Sequence, residues 1–359
     1  MKVAHINAGN EYGGGLVHIV SLLKELKDKN CDLIVLEEGP VSKAARQEGV
    51  QVHVFQQVNR YDLSVIVKLI RFLKKEAYTH IHTHGPRANT FAYFMRYFIS
   101  ITWITTIHSN PSLDFEDNGV KGRLFEKINK QSITKAHGVI AVSKEIKESI
   151  KSLGVAESRI EIINNGITFS DPLLLEKATE PFTLLTIGRL HPIKGYHLLV
   201  QALQNFPHSN WQWLVCGEGQ EETKLKKLSR EANLESHISF LGWLPSEEVK
   251  KAASKADILV HPSLSESFPL VLLEAAEQQL PVIATDVGDV NRIIRNETMG
   301  WLIEANNSED LKTALLEAYQ LWENKELKNK GLVLKEWAKQ FSLTQQAEKV
   351  WHFYKRIEK

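Results

Sequence analysis

The sequence predicts an α/β protein of two doubly wound parallel-sheet domains facing across a cleft, and three observations carry that prediction. Short, almost uniformly apolar runs alternate with helical patterns from end to end, as expected of parallel strands covered on both faces. The alternation breaks once, at 168–181, in a stretch rich in Pro, Ser and acidic residues, and then starts again. At 359 residues the chain is too long for one core of the usual size and sufficient for two.

In the first series, strands are expected at 2–6, 32–36, 51–55, 79–83, 102–108, 138–142 and 159–163, with helical patterns such as 16–29, 63–75 and 144–153 between them. The second series places strands at 183–187, 211–216, 237–241, 258–260, 282–285 and 300–303. The domains are therefore drawn as 1–168 and 182–341 with a linker at 169–181. A closing helix over 342–359 carries Trp351, Phe353 and Tyr354; packing back on the first domain is one option, and the sequence alone does not fix where it docks.

Composition narrows the function classes. Hydrophobic residues at 43% and charged residues at 24% describe an ordinary globular chain, and a net charge of +1 gives no global attraction to nucleic acid. Cys31 and Cys216 both sit in strand-like runs, which suits small core residues in a reducing compartment better than a disulfide or a metal site. The opening MKVAHINAG enters a strand without the apolar region of a secretory signal, and no apolar run approaches the ~20 residues of a membrane span. A cytoplasmic protein is expected.

Three segments carry candidate chemistry. The loop NAGNEYGGG, 7–15, lies between a strand and a helix; Gly14 and Gly15 would let a phosphate or sugar approach the helix N-terminus, although a glycine cluster is equally a flexible turn. Strand 183–187 runs into GRLHPIKG, where Gly188 permits tight curvature and Arg189 and Lys194 suit a diphosphate. In SESFPLVLLEAAE, Glu266 and Glu274 are eight residues apart, and Pro269 suits the first position of the helix carrying Glu274. A helical rise of ~12 Å over eight residues suggests that the two carboxylates serve successive parts of one extended ligand. A pair at glycosidase spacing stays open, because Glu266 precedes the helix.

The order of GGG, GRLHPIKG, GEG at 217–219, and E-x7-E followed by PVIATDVG resembles glycosyltransferase family 4, retaining enzymes of the GT-B fold built from two Rossmann-like domains. The resemblance covers nearly the whole chain. It implies that Glu274 holds the ribose hydroxyls, that Glu266 lies by the donor sugar, and that Arg189 and Lys194 hold the diphosphate. His108, in TTIHSN, would contact the donor sugar, and Phe268, Leu270 and Val271 would line the nucleotide site with Gly188, Gly14 and Gly15. The segments AVS, 141–143, and NNGI, 164–167, also fit. Three features depart from the family pattern. Pro269 replaces a glycine and removes an N–H, Glu277–Gln279 stand where a small, Gly-containing helix end is usual, and Gly288–Arg292 replace a GG-x-x-E pattern.

Two further features are weighed on their residues. His80, His82 and His84 alternate onto one strand face; a metal site there lacks a nearby Cys or carboxylate in sequence, so a strand end near the cleft is the preferred reading. Lys68, Arg71, Lys74 and Lys75 lie near one helical face, and FAYFMRYF, 91–98, is aromatic-rich; peripheral membrane contact and an ordinary solvated or core helix both explain them.

The reading that follows is a metal-independent hexosyltransferase with no cofactor. It would move a hexosyl or N-acetylhexosaminyl unit from a nucleotide-sugar, UDP favoured, to a glycan, glycolipid or protein-linked acceptor in polysaccharide or cell-envelope assembly. A lipid-linked acceptor at the cytoplasmic membrane leaflet is one expected acceptor class, and nucleic acid is not an expected partner. The rivals are a nucleotide-sugar epimerase or hydrolase of the same architecture and a non-catalytic binding subunit.

Overall fold

The computed structural model describes residues 1–57, 62, 64–109, 119–173 and 180–357, without the side chains of 119–124. Residues 174–179 of the expected linker, Leu63 of the expected helix 63–75 and the last two residues of the closing helix lie outside the described residues.

Seven strands form the first sheet: β1 (Val3–Asn7), β2 (Cys31–Val35), β3 (Val52–Val54), β4 (His80–His84), β5 (Thr102–Ile107), β6 (Gly138–Ala141) and β7 (Ile160–Ile162). Their order is β3-β2-β1-β4-β5-β6-β7, and every pairing is parallel. Six strands form the second: β8 (Phe182–Ile187), β9 (Trp211–Cys216), β10 (Ile238–Gly242), β11 (Ile258–His261), β12 (Val282–Thr285) and β13 (Gly300–Ile303). Their order is β10-β9-β8-β11-β12-β13, again all parallel.

Alternating side chains serve opposite faces of each sheet. In the first, Ala4, Ile6, Ile34 and Ile81 join one core cluster, while Val3, Leu33, Val35 and Ile104 join the other. The second divides likewise: Leu184, Trp213 and Val260 on one face, Leu185, Leu259 and Val282 on the other. Cys31 and Cys216 are free and buried within these clusters, and burial pushes their thiols up to about 12 and about 11.

Several boundaries move from the sequence expectation, each for a physical reason. The first helix runs Gly14–Leu26, starting before residue 16, because burial of Ile19, Leu22, Leu23 and Leu26 outweighs the poor helix propensity of two glycines. The two compact units are Met1–Gly166 with Leu343–Lys359, and Ile167–Ser342. The break therefore falls at 166/167, not after 168. Ile167 and Phe169 pack on the core of the second unit, and buried Glu277 accepts from the Ser170 N–H at 3.1 Å. The helix Leu343–Ile357 belongs to the first unit: Val350, Phe353 and Tyr354 are buried against its sheet, and a Cβ on Gly138 would lie 2.8 Å from the Phe353 ring.

The helix Leu270–Glu277 ends at Gln279, which has φ 57, the left-handed conformation that favours glycine. Its N–H donates to Ala276 O at 3.0 Å and the Leu280 N–H to Ala275 O at 2.9 Å, a Schellman ending built without glycine. Gln279→Gly is expected to stabilise the protein by about 0.5–1 kcal/mol, read as a melting temperature raised by roughly 2 °C.

Candidate active site

In the second sheet the strand order reverses between β8 and β11, so the loops leaving these neighbours diverge and open a crevice at their carboxyl ends. The β8 loop carries Gly188, Arg189 and Lys194; the β11 loop carries Ser263 and Glu266. Two glycines lock the surrounding backbone. Gly195, at φ 64, carries the β8 loop onto the β11 loop, where a Cβ would meet Pro262 O at 2.0 Å. Gly288, at φ 57, brings the β12 loop onto Glu266, where a Cβ would meet its carbonyl oxygen at 1.9 Å. The segment Gly288–Arg292, which departs from the family pattern, therefore packs on the backbone of Glu266; Asp289 is buried there and pairs with Arg292 at 3.4 Å.

Lys194 and Glu266 meet directly, Nζ to Oε1 at 2.5 Å, with the His261 Nε2 at 2.9 Å and the Ser263 hydroxyl at 2.8 Å from the same oxygen. Burial alone would raise the Glu266 carboxyl. Hydrogen bonding and charge from His261, then Lys194, overcome this and hold it down at about 2. Arg189 is exposed on the same loop. The Tyr196 hydroxyl is buried and has no hydrogen-bond partner among the described residues, 3.0 Å from where a Gly188 Cβ would sit.

Pro269 is the N-cap residue, with φ −76 and ψ 111, and not the first helical residue expected from sequence. Leu270 and Val271 are thus the first two helical residues, whose N–H groups have no acceptor within the helix. An anion at this opening would meet them and the positive end of the helix. Phe268 is a core residue, edge-on to Phe341 at 5.2 Å, so its backbone alone can face a ligand. Glu274 lies one turn along the same helix with its side chain reaching solvent. Desolvation by surrounding protein raises its carboxyl, Glu277 adds a like charge, and Lys250 opposes them.

The first sheet reverses between β1 and β4, and the loop Asn7–Gly15 leaves there. Gly14 and Gly15 form the first turn of the helix, not the loop before it. Glu11 lies over this turn: its carboxylate accepts from Asn7 Nδ2 at 2.9 Å, and a Cβ on Gly15 would lie 3.3 Å from its Oε2. A carboxylate there suits hydroxyl groups better than a diphosphate.

Beneath this helix lies a histidine layer that the sequence showed only in part. His5 pairs in register with His82, so β1 and β4 place His5, His82 and His84 together, and the helix Gly14–Leu26 adds His18. His108, at the end of β5, stacks edge-on to His18 with ring centres 4.4 Å apart. His5 Nδ1 meets His84 Nε2 at 3.0 Å, the Tyr354 hydroxyl lies 2.6 Å from His82 Nδ1 and 3.2 Å from His5 Nε2, and His82 Nε2 lies 2.7 Å from the Thr106 hydroxyl. Burial lowers all five rings, His5 to about 3 and His108 to about 4, so the layer is neutral near pH 7.

Two triplets, His5–His82–His84 and His18–His84–His108, bring ring nitrogens within 4.8 Å of one another, close enough to consider a metal ion. Their hydrogen bonds work against one. In the first, the nitrogens of His5 and His82 are engaged with Tyr354, Thr106 and His84. In the second, Gln346 accepts from the Gly166 N–H and turns its amide nitrogen to His18 Nδ1 at 3.1 Å, which puts the His18 proton on Nε2 and leaves no lone pair there.

Sequence reasoning missed His5, His18, Tyr354, His261 and Ser263. Histidines at period two on neighbouring strands could have shown the first, and a histidine ending the strand five residues before Glu266 could have shown His261.

Comparison with known proteins agrees with this geometry. The family model "Glycos_transf_1: Glycosyl transferases group 1" matches residues 174–331, and "Glycosyltransferase Family 4" matches 12–170. An uncharacterized glycosyltransferase of Methanocaldococcus jannaschii is 30% identical over 351 residues, 95% of this chain and 94% of that relative. The GPI3 subunit of phosphatidylinositol N-acetylglucosaminyltransferase of Saccharomyces cerevisiae is 24% identical over 338 residues, 88% of this chain and 74% of its own. Among solved structures, Anabaena HepE in complex with UDP superposes with a TM-score of 0.84 at 18% identity, over 99% of this chain and 100% of that one. At that identity the likeness establishes the fold. The chain belongs to glycosyltransferase family 4 and is a glycosyltransferase with the paired parallel-sheet domains of the GT-B type.

Proposed function

We propose that the protein is a retaining hexosyltransferase that moves a hexosyl or N-acetylhexosaminyl unit from a UDP-sugar without a divalent metal. The observation that carries this reading is the cation cluster at the β8/β11 switch point, where Arg189 and Lys194 share one loop beside Glu266. Breaking the sugar–phosphate bond leaves negative charge on the departing diphosphate. Arg189, Lys194 and the N–H groups of Leu270 and Val271 are the groups to stabilise it, with electrostatic preorganisation doing the work a metal does elsewhere. The acceptor hydroxyl attacks from the face the diphosphate leaves and gives its proton to a phosphate oxygen. Glu274 holds the ribose, and Glu266 and His108 position the sugar.

UDP is favoured because the HepE structures hold UDP and, in another crystal, UDP-glucose. A lipid-linked acceptor is favoured because GPI3 belongs to a phosphatidylinositol-modifying transferase. The first unit also carries a surface suited to a membrane. Lys68, Arg71, Lys74 and Lys75 are exposed on the helix Ser64–Lys75, and Tyr97 and Phe98 are exposed at 62% and 66% just beyond the helix Pro86–Met95. That pairing of cations and aromatics fits the anionic cytoplasmic leaflet. Among the described residues no helix is long and apolar enough to cross a membrane.

UDP is expected to raise the melting temperature of the wild type and to do so far less for Glu274→Ala. Because the Glu274 carboxyl is raised above its ordinary 4.5, UDP affinity should fall on acidification beginning above that pH, whereas Glu274→Gln should give a flat profile. The double variant Arg189→Ala/Lys194→Ala should lose on the order of a thousandfold in kcat with its fold intact by circular dichroism. Excess EDTA should leave turnover unchanged; activity abolished by chelator and restored by a divalent ion would overturn the metal-free mechanism. Sedimentation with phosphatidylserine vesicles at low salt should retain the wild type and release a Tyr97→Ala/Phe98→Ala/Arg71→Glu/Lys74→Glu variant.

A further inference from the structure

We infer that His261 and Ser263 are positioning residues that keep Glu266 in place while Lys194 passes from that carboxylate to the donor diphosphate. The inference rests on the donor-site reading above.

Three donors converge on one oxygen, Glu266 Oε1: Lys194 Nζ at 2.5 Å, Ser263 Oγ at 2.8 Å and His261 Nε2 at 2.9 Å. Among the described residues, Oε2 receives none of the hydrogen bonds, which leaves it for a sugar hydroxyl. Each donor is held from a different place. Lys194 closes the short turn Pro192–Lys194 after β8, and His261 is the last residue of β11, 1% exposed. Ser263 is fully buried, its carbonyl accepting from the Thr285 hydroxyl at 2.5 Å. Tyr196 also lies by Glu266, its hydroxyl raised by burial and by the Glu266 charge, and the β12 loop packed on the Glu266 backbone carries the Asp289–Arg292 pair.

Lys194 cannot serve two anions fully at once. A diphosphate arriving at the β8 loop competes for it, and the Glu266 side chain, only 13% exposed, would be left as a nearly buried carboxylate. Unpaired, that charge is costly to keep. His261 and Ser263 still supply two hydrogen bonds to Oε1 after Lys194 turns away, so the handover leaves no orphaned charge. Without His261, Glu266 would either hold Lys194 more tightly, at the diphosphate's expense, or take up a proton and lose the charged carboxylate that faces the sugar.

The test uses the full-length protein with ¹³C-carboxyl glutamate, Glu266 being assigned through Glu266→Gln. Two readouts are compared: ligand-free titration of Glu266 by NMR, and calorimetric affinity for UDP-glucose from about pH 5 to about pH 8. In wild type, Glu266 should stay ionised down to its low value near 2. In His261→Ala it should titrate at higher pH, and UDP-glucose affinity should drop on the order of tenfold. His261→Gln, which keeps an N–H donor, should restore most of both, and Ser263→Ala should show a smaller shift of the same sign. Glu274→Ala is the control: it should weaken nucleotide binding and leave the Glu266 titration untouched. An unchanged Glu266 titration and donor affinity in His261→Ala would overturn the inference. So would equal losses in His261→Gln and His261→Ala, and those two outcomes also serve if Ser263→Ala proves unstable. Wild type that binds no nucleotide would defeat the donor-site reading, while the ligand-free titration still decides whether His261 and Ser263 position Glu266.

Discussion

Parallel pairing is the constraint on which the rest of the structure depends. When every strand of a sheet runs the same way, each needs a helical crossover to return, and all the loops that follow strands collect at one edge. Wherever the winding reverses, two adjacent loops must part. In the second unit that point falls between β8 and β11, and the residues found there are a cation-bearing loop and a carboxylate-bearing loop. The site is therefore a consequence of topology before it is a matter of chemistry. The glycines at 195 and 288 then convert a gap between loops into a fixed geometry, because only a residue without a Cβ lets the neighbouring backbones touch.

Within that geometry the Lys194–Glu266 pair is better understood as a device of function than as a source of stability. Taking two charges out of water costs about as much as their attraction returns, and the extra hydrogen bonds from His261 and Ser263 tip the balance. A family resemblance assigns the lysine to a phosphate and the glutamate to a sugar, and the structure shows the two holding each other. These statements are compatible if the pair is exchanged when the donor binds, which requires the carboxylate to have other partners ready. His261 and Ser263, both on the same oxygen as Lys194, meet that requirement.

The alternation of apolar runs was enough to place the thirteen strands of the described residues within a residue or two, since a strand buried on both faces has few ways to be written. Boundaries were less legible. Ile167 and Phe169 belong to the second unit because of what they pack against, and contacts over a hundred residues away leave no local mark. The same holds for the site. Arg189, Lys194, Glu266 and Glu274 stand in motifs whose spacing survives in the linear chain; His261 and Ser263 lie close by in sequence, and what they touch is visible only in the fold. Pro269 lacks its own N–H wherever it stands; as the N-cap residue it leaves the first helical N–H groups, at Leu270 and Val271, in place.

The histidine layer of the first unit follows the same logic with a different outcome. Five imidazoles in a protein interior would be ruinous if charged, and burial keeps each of them neutral near pH 7. Tyr354 lies at the middle of that arrangement, touching both His5 and His82, and it arrives on the last helix of the chain. Gln346, from the same helix, settles the tautomer of His18. The segment that closes the sequence thus completes the polar interior of the domain that opens it. The first unit therefore has no settled histidine layer until the helix Leu343–Ile357 has packed on it, which ties that helix to the sheet by its polar contacts as well as its apolar ones.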